Sequence, residues 1–310
     1  MTSARSAFGA GPLRPRCTFD LGTRDHPGAA PLSTSRSGRS SRWVALFAGT
    51  LVVAGCSSGS TVVDKIAPPK PLQILVTNDD GFAAPGIDVV ARALTKLPHV
   101  RVTIVAPATN KSGTGSQTTA GTLTATRRKT ASGLAATAVD GFPSDAIRYA
   151  LDTMKLRPDV VVSGINAGQN LGPITEISGT VGAAQAAAAQ GIPAIAASQG
   201  EIATARTNYG VGAKFLTRWV DGGRREFSAR TAAVGVVNVN FPMCTTLAIR
   251  GVRQVPLAAG AENAVTPADC ASTLSSVNTD VEAFHNGFIA VTQLDAAGQT
   301  VTSSTTWPST

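Results

Sequence analysis

Two consecutive carboxylates close the first apolar run after Pro71: Leu72–Thr77 is followed by Asn78, Asp79, Asp80 and Gly81. Neighbours within a strand point to opposite faces, but where a strand ends the chain turns and both aspartates can converge. Like charges packed together are costly unless a cation neutralises them. Carboxylates joined by Ser and Asn oxygens suit a hard divalent ion such as Mg²⁺, Mn²⁺ or Ca²⁺, not zinc or copper. Asn-Asp-Asp-Gly is also good turn chemistry in its own right, so its meaning depends on what meets it. Asn110, Lys111, Ser112 and Gly113 follow the run Val100–Val105, and Ser163, Gly164, Ile165, Asn166, Ala167 and Gly168 follow Asp159–Val162. A further group, Ser178-Gly179-Thr180, opens an Ala-rich helix. Free N–H groups at a helix start accept phosphate, although ordinary capping by Ser or Thr explains the same residues. A metal site facing an anion site is the layout for phosphoryl transfer to water.

The elements that must position these residues read as α/β. Apolar runs alternate with helical patterns, which predicts a Rossmann-like doubly wound, mostly parallel sheet with helices on both faces. In such a sheet ligands sit at the carboxyl ends of the strands, where the polar groups above fall. Ile87–Leu97 has helical spacing and stops at Pro98. The Thr-, Ser- and Gly-rich stretch from Ser112 to Ala138 alternates polar and apolar, predicting a β-hairpin extension. Ser144–Leu151 reads as a helix with Ser144 as N-cap, and Thr180–Gln190 as a helix ended by Gly191. Pro193–Ala197 and Val234–Asn240 read as strands, with a helix around Ala205–Val220 between them. Residues 245–310 carry no clear period.

Hydrophobic content of 43% against 15% charged residues suffices for a packed core and excludes a wholly disordered chain. The net charge of +8 is unevenly spread: before Cys56 lie seven arginines against two acids, a net +5, which leaves about +3 for the rest. With 5% aromatic residues there are few stacking platforms, so a nucleic-acid polymer is not the expected partner. Arg39 and Arg42 precede an uncharged run of 13 residues, Trp43 to Gly55, too short to span a bilayer but suited to a signal segment. It ends in Val53-Ala54-Gly55-Cys56, which resembles a bacterial lipobox with Cys56 as the lipidated residue. Residues 1–56 are thus read as leader and lipoprotein-type signal, 57–71 as flexible linker, 72–300 as the folded domain and 301–310 as a tail. That reading predicts an exported protein held on the extracytoplasmic side, touching the membrane only through its lipid. If Cys17 is removed and Cys56 lipidated, Cys244 and Cys270 remain, either as a disulfide or as two buried thiols. Neither CxxC nor a Cys/His cluster supports zinc. His99 and His285 fall away from strand ends, and Lys111 reads as a solvated loop charge more readily than as a phosphate-steering group.

The strings ILVTNDDGFAAPGI (74–87), VAPATNKSG (105–113), VDGFPSDAIRYAL (139–151), PDVVVSGINAGQNLG (158–172) and SGTVGAAQAA (178–187) resemble, in order and spacing, the SurE family of survival-protein 5′/3′-nucleotidases. The likeness covers roughly residues 72–295, with looser matches at VVNVNFP (236–242) and NTDVEAFHNGFIAVTQL (278–294). It implies a Rossmann-like domain with a dimerising C-terminal hairpin, hence a homodimer or larger homo-oligomer. It also implies metal-dependent removal of phosphate from nucleoside monophosphates. Carried over by motif, Asp79, Asp80, Ser112 and Asn166 hold the metal, with Asp79 and Asp80 the catalytic pair. Gly113, Asn170, Ser178, Gly179 and Thr180 cradle the phosphate. The family's usual aromatic before Ser-Gly-Thr is Ile177 here, its usual histidine in the first block is Ala83, and the loop after Ser112 differs, which bears on substrate preference more than on the metal set. Export is also unusual for a family associated with the cytoplasm. The rival reading is a surface-tethered protein that binds nucleotide or phosphate without turnover; the intact metal set argues against it.

Overall fold

The computed structural model describes residues 70–201, 207–245 and 247–302. The signal segment, Cys56, nearly all of the linker and most of the tail lie outside the described residues. All described residues fall in one compact unit, Lys65–Thr310.

β1 (Leu72–Thr77) is apolar on both sides because it lies inside the sheet. Leu72, Ile74 and Val76 enter one core layer and Leu75 the other, the period-2 alternation of a strand buried on two faces. α1 (Pro85–Leu94) returns the chain to β2 (Val100–Pro107), which runs parallel to β1. A hairpin follows, β3 (Thr124–Lys129) and β4 (Ala135–Asp140). It is shorter than the stretch from Ser112 predicts, and β4 joins the main sheet parallel to β2. Buried Ala136, Ala138 and Val139 give β4 the apolar face this requires, whereas β3, with Arg127, Arg128 and Lys129, stays at the edge.

α2 (Pro143–Arg148) differs from expectation at both ends. Phe142, not Ser144, holds the cap position. Pro143 sits in the first turn, where its missing N–H costs nothing, and Asp145 accepts the Phe142 N–H at 2.9 Å. Past Arg148 the helix continues as a π turn over Tyr149–Thr153. β5 (Val160–Ala167) runs well past Val162, so Ser163 and Asn166 belong to the strand itself. They pair with Ala196 and Ser198 of the neighbouring strand, and the irregularity between them falls at Gly164-Ile165. Gly164 has φ +131°, and a β-carbon there would overlap the Ala197 carbonyl oxygen, so only glycine fits the bulge.

α3 (Gly179–Ala188) packs its alanines Ala183, Ala184 and Ala187 against the sheet, and β6 (Ala194–Gln199) follows. α4 (Gly210–Gly222) starts later than predicted; α5 (Arg224–Ala229) and β7 (Val236–Phe241) complete the wound sheet. The unpatterned C-terminal stretch supplies β8 (Val252–Gln254), α6 (Asp280–His285) and β9 (Ile289–Leu294). The strand order is β3-β4-β2-β1-β5-β6-β7-β9-β8. β4 through β7 in that order are parallel, and β9 adds antiparallel to β7. Within the described residues the C-terminal hairpin amounts to a return at Asp295–Gln299 with a bridge between Leu294 and Thr300. The Cys244–Cys270 alternative resolves as a disulfide, with Cα atoms 5.7 Å apart. No described helix is long and apolar enough to cross a membrane.

Candidate active site

The chain winds outward in both directions from β1, so the switch point of the sheet lies at the ends of β1, β2 and β5, where a doubly wound sheet opens a crevice. Asn78 closes the turn after β1: its amide donates to the Gly81 carbonyl at 3.0 Å and its oxygen accepts the Gly81 N–H at 3.2 Å. This turn presents Asp79 and Asp80 to the crevice. Asp79 is 2% exposed and accepts the Thr180 hydroxyl. Its own carbonyl accepts the Lys111 N–H at 2.7 Å, tying the loop after β2 to the carboxylate pair. Gly179 lies so near that a β-carbon would stand 2.7 Å from Asp79 Cβ, which is why the start of α3 carries glycine there.

Asp80 links the other two segments. One oxygen accepts the Ala167 N–H at 3.1 Å, beside Asn166, and the other faces the Asn110 amide at 3.5 Å. Asn110 in turn accepts the Ser112 N–H at 2.8 Å. All four expected metal ligands are therefore brought to one edge, with Asn110 and Ala167 as the residues between them. Asn166 donates its amide to the Gly168 carbonyl at 2.7 Å, while its Oδ1 is buried without a partner.

Burial pushes both carboxyls above the usual carboxylate range. For Asp80 burial is the largest cause and the Asp79 charge the next, and together they carry it to about 6, with the Ala167 N–H pulling the other way. Burial raises Asp79 while the Thr180 hydroxyl lowers it. Two carboxylates that oppose each other's ionisation, set near an orphaned amide oxygen and an exposed serine, form an oxygen donor set that fits a hard divalent cation. A cation held there would compete with protons for Asp80. We therefore expect Mn²⁺ to raise the melting temperature little at pH 5 and progressively more as pH rises through 6 towards 8. A shift of equal size at both ends, in a thermal-shift titration, would contradict the assignment.

The phosphate residues divide. Ser178 is the N-cap of α3 and accepts the Val181 N–H at 3.2 Å, so the capping explanation holds as far as its acceptor goes, and its O–H remains a donor. Gly179 borders Asp79, and Gly113 faces open space with φ +77°. Thr180, in the first turn of α3, donates its hydroxyl to Asp79 and so orients that carboxylate. Asn170 is bonded to the neighbouring strands. Its N–H goes to Asn240 at 2.7 Å, its amide to Ser198 at 2.8 Å, and its carbonyl accepts from Asn238 and Asn240. It is a buried joint between strands.

The loop after Ser112 is clamped by α2. Asp145 accepts the Thr119 N–H and hydroxyl, at 2.9 and 2.7 Å to the same oxygen, and Arg148 donates to the Thr119 carbonyl at 2.7 Å. Two site neighbours escaped the sequence reading. The charge of Glu201 adds to the rise of Asp80, and Tyr209 is pushed up to about 12 by burial, then by Asp80 and Glu201. The rule that found the other residues, polar groups after each apolar run, applies equally to Ser198-Gln199-Gly200-Glu201 after the run Pro193–Ala197 and would have found Glu201.

The chain matches the family described as Survival protein SurE over residues 74–264. A relative from Paramagnetospirillum magneticum, "5′-nucleotidase SurE", is 35% identical over 249 residues, 74% of this chain and 92% of that one. This chain belongs to the SurE family. Another SurE relative, "5′-nucleotidase SurE" of Methanopyrus kandleri, is 40% identical over 178 residues, 55% of this chain, and the match spans 66% of the relative's length. The crystal structure of the SurE protein from Aquifex aeolicus aligns with TM-score 0.56 and 27% identity over 72% of this chain and 93% of that one. Where this SurE chain departs from the family pattern, Ile177 stands 59% exposed directly before Ser178.

Proposed function

We propose that this SurE-family chain is a phosphomonoester hydrolase that removes phosphate from nucleoside 5′- and 3′-monophosphates. It does so with one divalent ion, Mg²⁺ or Mn²⁺, held by Asp79, Asp80, Ser112 and Asn166. The observation that carries this reading is the meeting of Asp79 with the first turn of α3, through the Thr180 hydroxyl and the close approach of Gly179. It sets a cation-binding pair directly against an anion-binding helix end. An ion held by these residues would supply Lewis-acid chemistry, polarising a phosphoryl oxygen and making water more acidic. The chain's own contribution is placement. Ser178 and the N–H groups of Gly113 and Gly179 face the phosphate, Thr180 orients Asp79, and Ala167 orients Asp80. Asp79, oriented by the Thr180 hydroxyl, would take up the proton of the attacking water.

Purified protein is expected to release phosphate from AMP and from p-nitrophenyl phosphate with Mg²⁺ or Mn²⁺, and to stop in EDTA. Nucleotide binding with no metal-dependent release would instead favour the tethered binding protein.

We further propose that the protein is exported and lipidated at Cys56. The Arg39/Arg42 signal pattern supports this, as does a disulfide of the kind that persists in oxidising compartments. Mass spectrometry of the N-terminus extracted from membranes tests it; an unmodified Cys56 would remove the anchor. A homodimer or larger assembly is in keeping with exposed Leu247, Val265 and Leu274 in the C-terminal segment, and analytical ultracentrifugation decides it.

A further inference from the structure

Asp280 opens α6 and is fully buried, yet none of the ion pairs among the described residues involves it. A carboxylate in that position is costly unless hydrogen bonds compensate. Here they are all main-chain N–H groups: Gly172 at 2.8 Å on one oxygen, Ala258 at 2.7 Å and Val281 at 2.9 Å on the other. The contact with Gly172 spans 108 positions of sequence and joins the C-terminal segment to the arm that ends in the phosphate site.

That arm is short and stiff. From Gly172 it runs as a 3-10 turn to Glu176, closed by the Thr175 hydroxyl on the Gly172 carbonyl at 2.7 Å, and passes through Ile177 to the cap residue Ser178. At one end Gly172, with φ +50°, presses on the segment that Asp280 also holds: a β-carbon would stand 3.2 Å from the Ala258 carbonyl and 3.1 Å from that of Gly260. At the other end the Ile177 carbonyl accepts the Gly115 N–H at 2.9 Å, in the loop that carries Ser112 and Gly113. Leu171, next to Gly172, is buried with Val281, Phe284 and Phe288 in a small core that contains neither Asp79 nor Asp80.

We infer that Asp280 is a positioning residue for the phosphate half of the site, setting the place of the arm through the Gly172 N–H. The inference rests on the phosphomonoesterase reading for its kinetic consequences. Its structural half stands apart from it, since the bonds of Asp280 reach neither Asp79, Asp80 nor Asn166.

Asp280→Asn keeps the shape but turns an N–H donor towards one of the main-chain donors. Expected are a rise of about tenfold in the inhibition constant of inorganic phosphate, a matching rise in KM, and a Mn²⁺ dissociation constant within twofold of wild type. Hydrogen exchange over residues 172–178 should quicken at least tenfold while β1 is unchanged. A merely structural role would lower the melting temperature and leave phosphate affinity per folded molecule intact. Should Asp280→Asn fail to fold, Gly172→Ala perturbs the other end of the same bond and is expected to give the same split between phosphate and metal. Unchanged phosphate inhibition and unchanged exchange in a folded variant would overturn the inference, as would parallel losses of phosphate and Mn²⁺ affinity. If the wild type releases no phosphate at all, the nucleotidase reading fails, and the exchange of 172–178 still decides whether Asp280 holds the arm.

Discussion

Asp80→Asn is expected to lower kcat for AMP by ~10²–10³-fold, about 3–4 kcal/mol of transition-state stabilisation, while leaving the protein folded. The side chain is isosteric, and its oxygen can still accept the Ala167 N–H that Asp80 accepts now. What disappears is a charge, which the cation needs and the metal-free fold does not. The sign of the stability change follows from the same shift. A carboxyl whose folded pKa is raised, here to about 6 from 3.8, contributes stability at low pH that is lost as pH rises through the folded value. Above that value Asp80 is ionised, half-buried and repelled by the Asp79 charge. At pH 8 without metal the variant should therefore melt at or above wild type, and Mn²⁺ should stabilise it less. Phosphate-release kinetics beside thermal melts with and without Mn²⁺ check both halves. Wild-type activity in the variant would remove the assignment of the metal set, and loss of activity together with loss of fold would mean that Asp80 is structural.

Gly86→Ala is expected to destabilise the protein by about 3 kcal/mol, at the upper end for overpacking a well-filled interior, or ~6–12 °C in melting temperature for a domain of this size. Gly86 lies in the first turn of α1, against the bulge of β5. A β-carbon there would overlap the Ile165 carbonyl oxygen and stand 3.2 Å from the Tyr209 ring. The obstacle is backbone, which cannot swing aside as a flexible side chain would. Relief has to come from moving α1 away or flattening the bulge, and the bulge is what brings Asn166 to the crevice. The variant should thus lose metal affinity along with stability. Gly222→Ala is the control: nothing lies within 4 Å of its added carbon, so it should be neutral or slightly stabilising at the end of α4. Equal melting temperatures for the two variants, by calorimetry, would show that α1 does not press on β5 as described.

Much of this was written in local sequence. The apolar runs of β1, β2, β6 and β7 announce a buried parallel sheet because each strand must satisfy two faces at once. Asn-Asp-Asp-Gly, Asn-x-Ser-Gly and Ser-Gly-Thr point to the crevice only when taken together at one edge of the sheet, because each alone is equally good turn or capping chemistry. What local pattern did not carry are the partners chosen across the fold. Ser163 and Asn166 follow an apolar run as a turn would, yet they stay in β5 because β6 offers them hydrogen bonds. Asn170 looks like a ligand by its neighbours and becomes a joint because Asn238, Asn240 and Ser198, 28 to 70 positions away, converge on it. β9 has an apolar run but no local signal of partner or direction; it joins the β7 edge antiparallel. Asp280 carries no catalytic signature in sequence, and the main-chain donors that satisfy it include Gly172 and Ala258, which only the tertiary fold brings to it. Side-chain type and spacing thus set which chemistry was available, since they depend on neighbours along the chain. Packing alone set which oxygens reach the crevice and which are spent inside, because a buried polar group takes whichever partner the tertiary fold brings within hydrogen-bond reach.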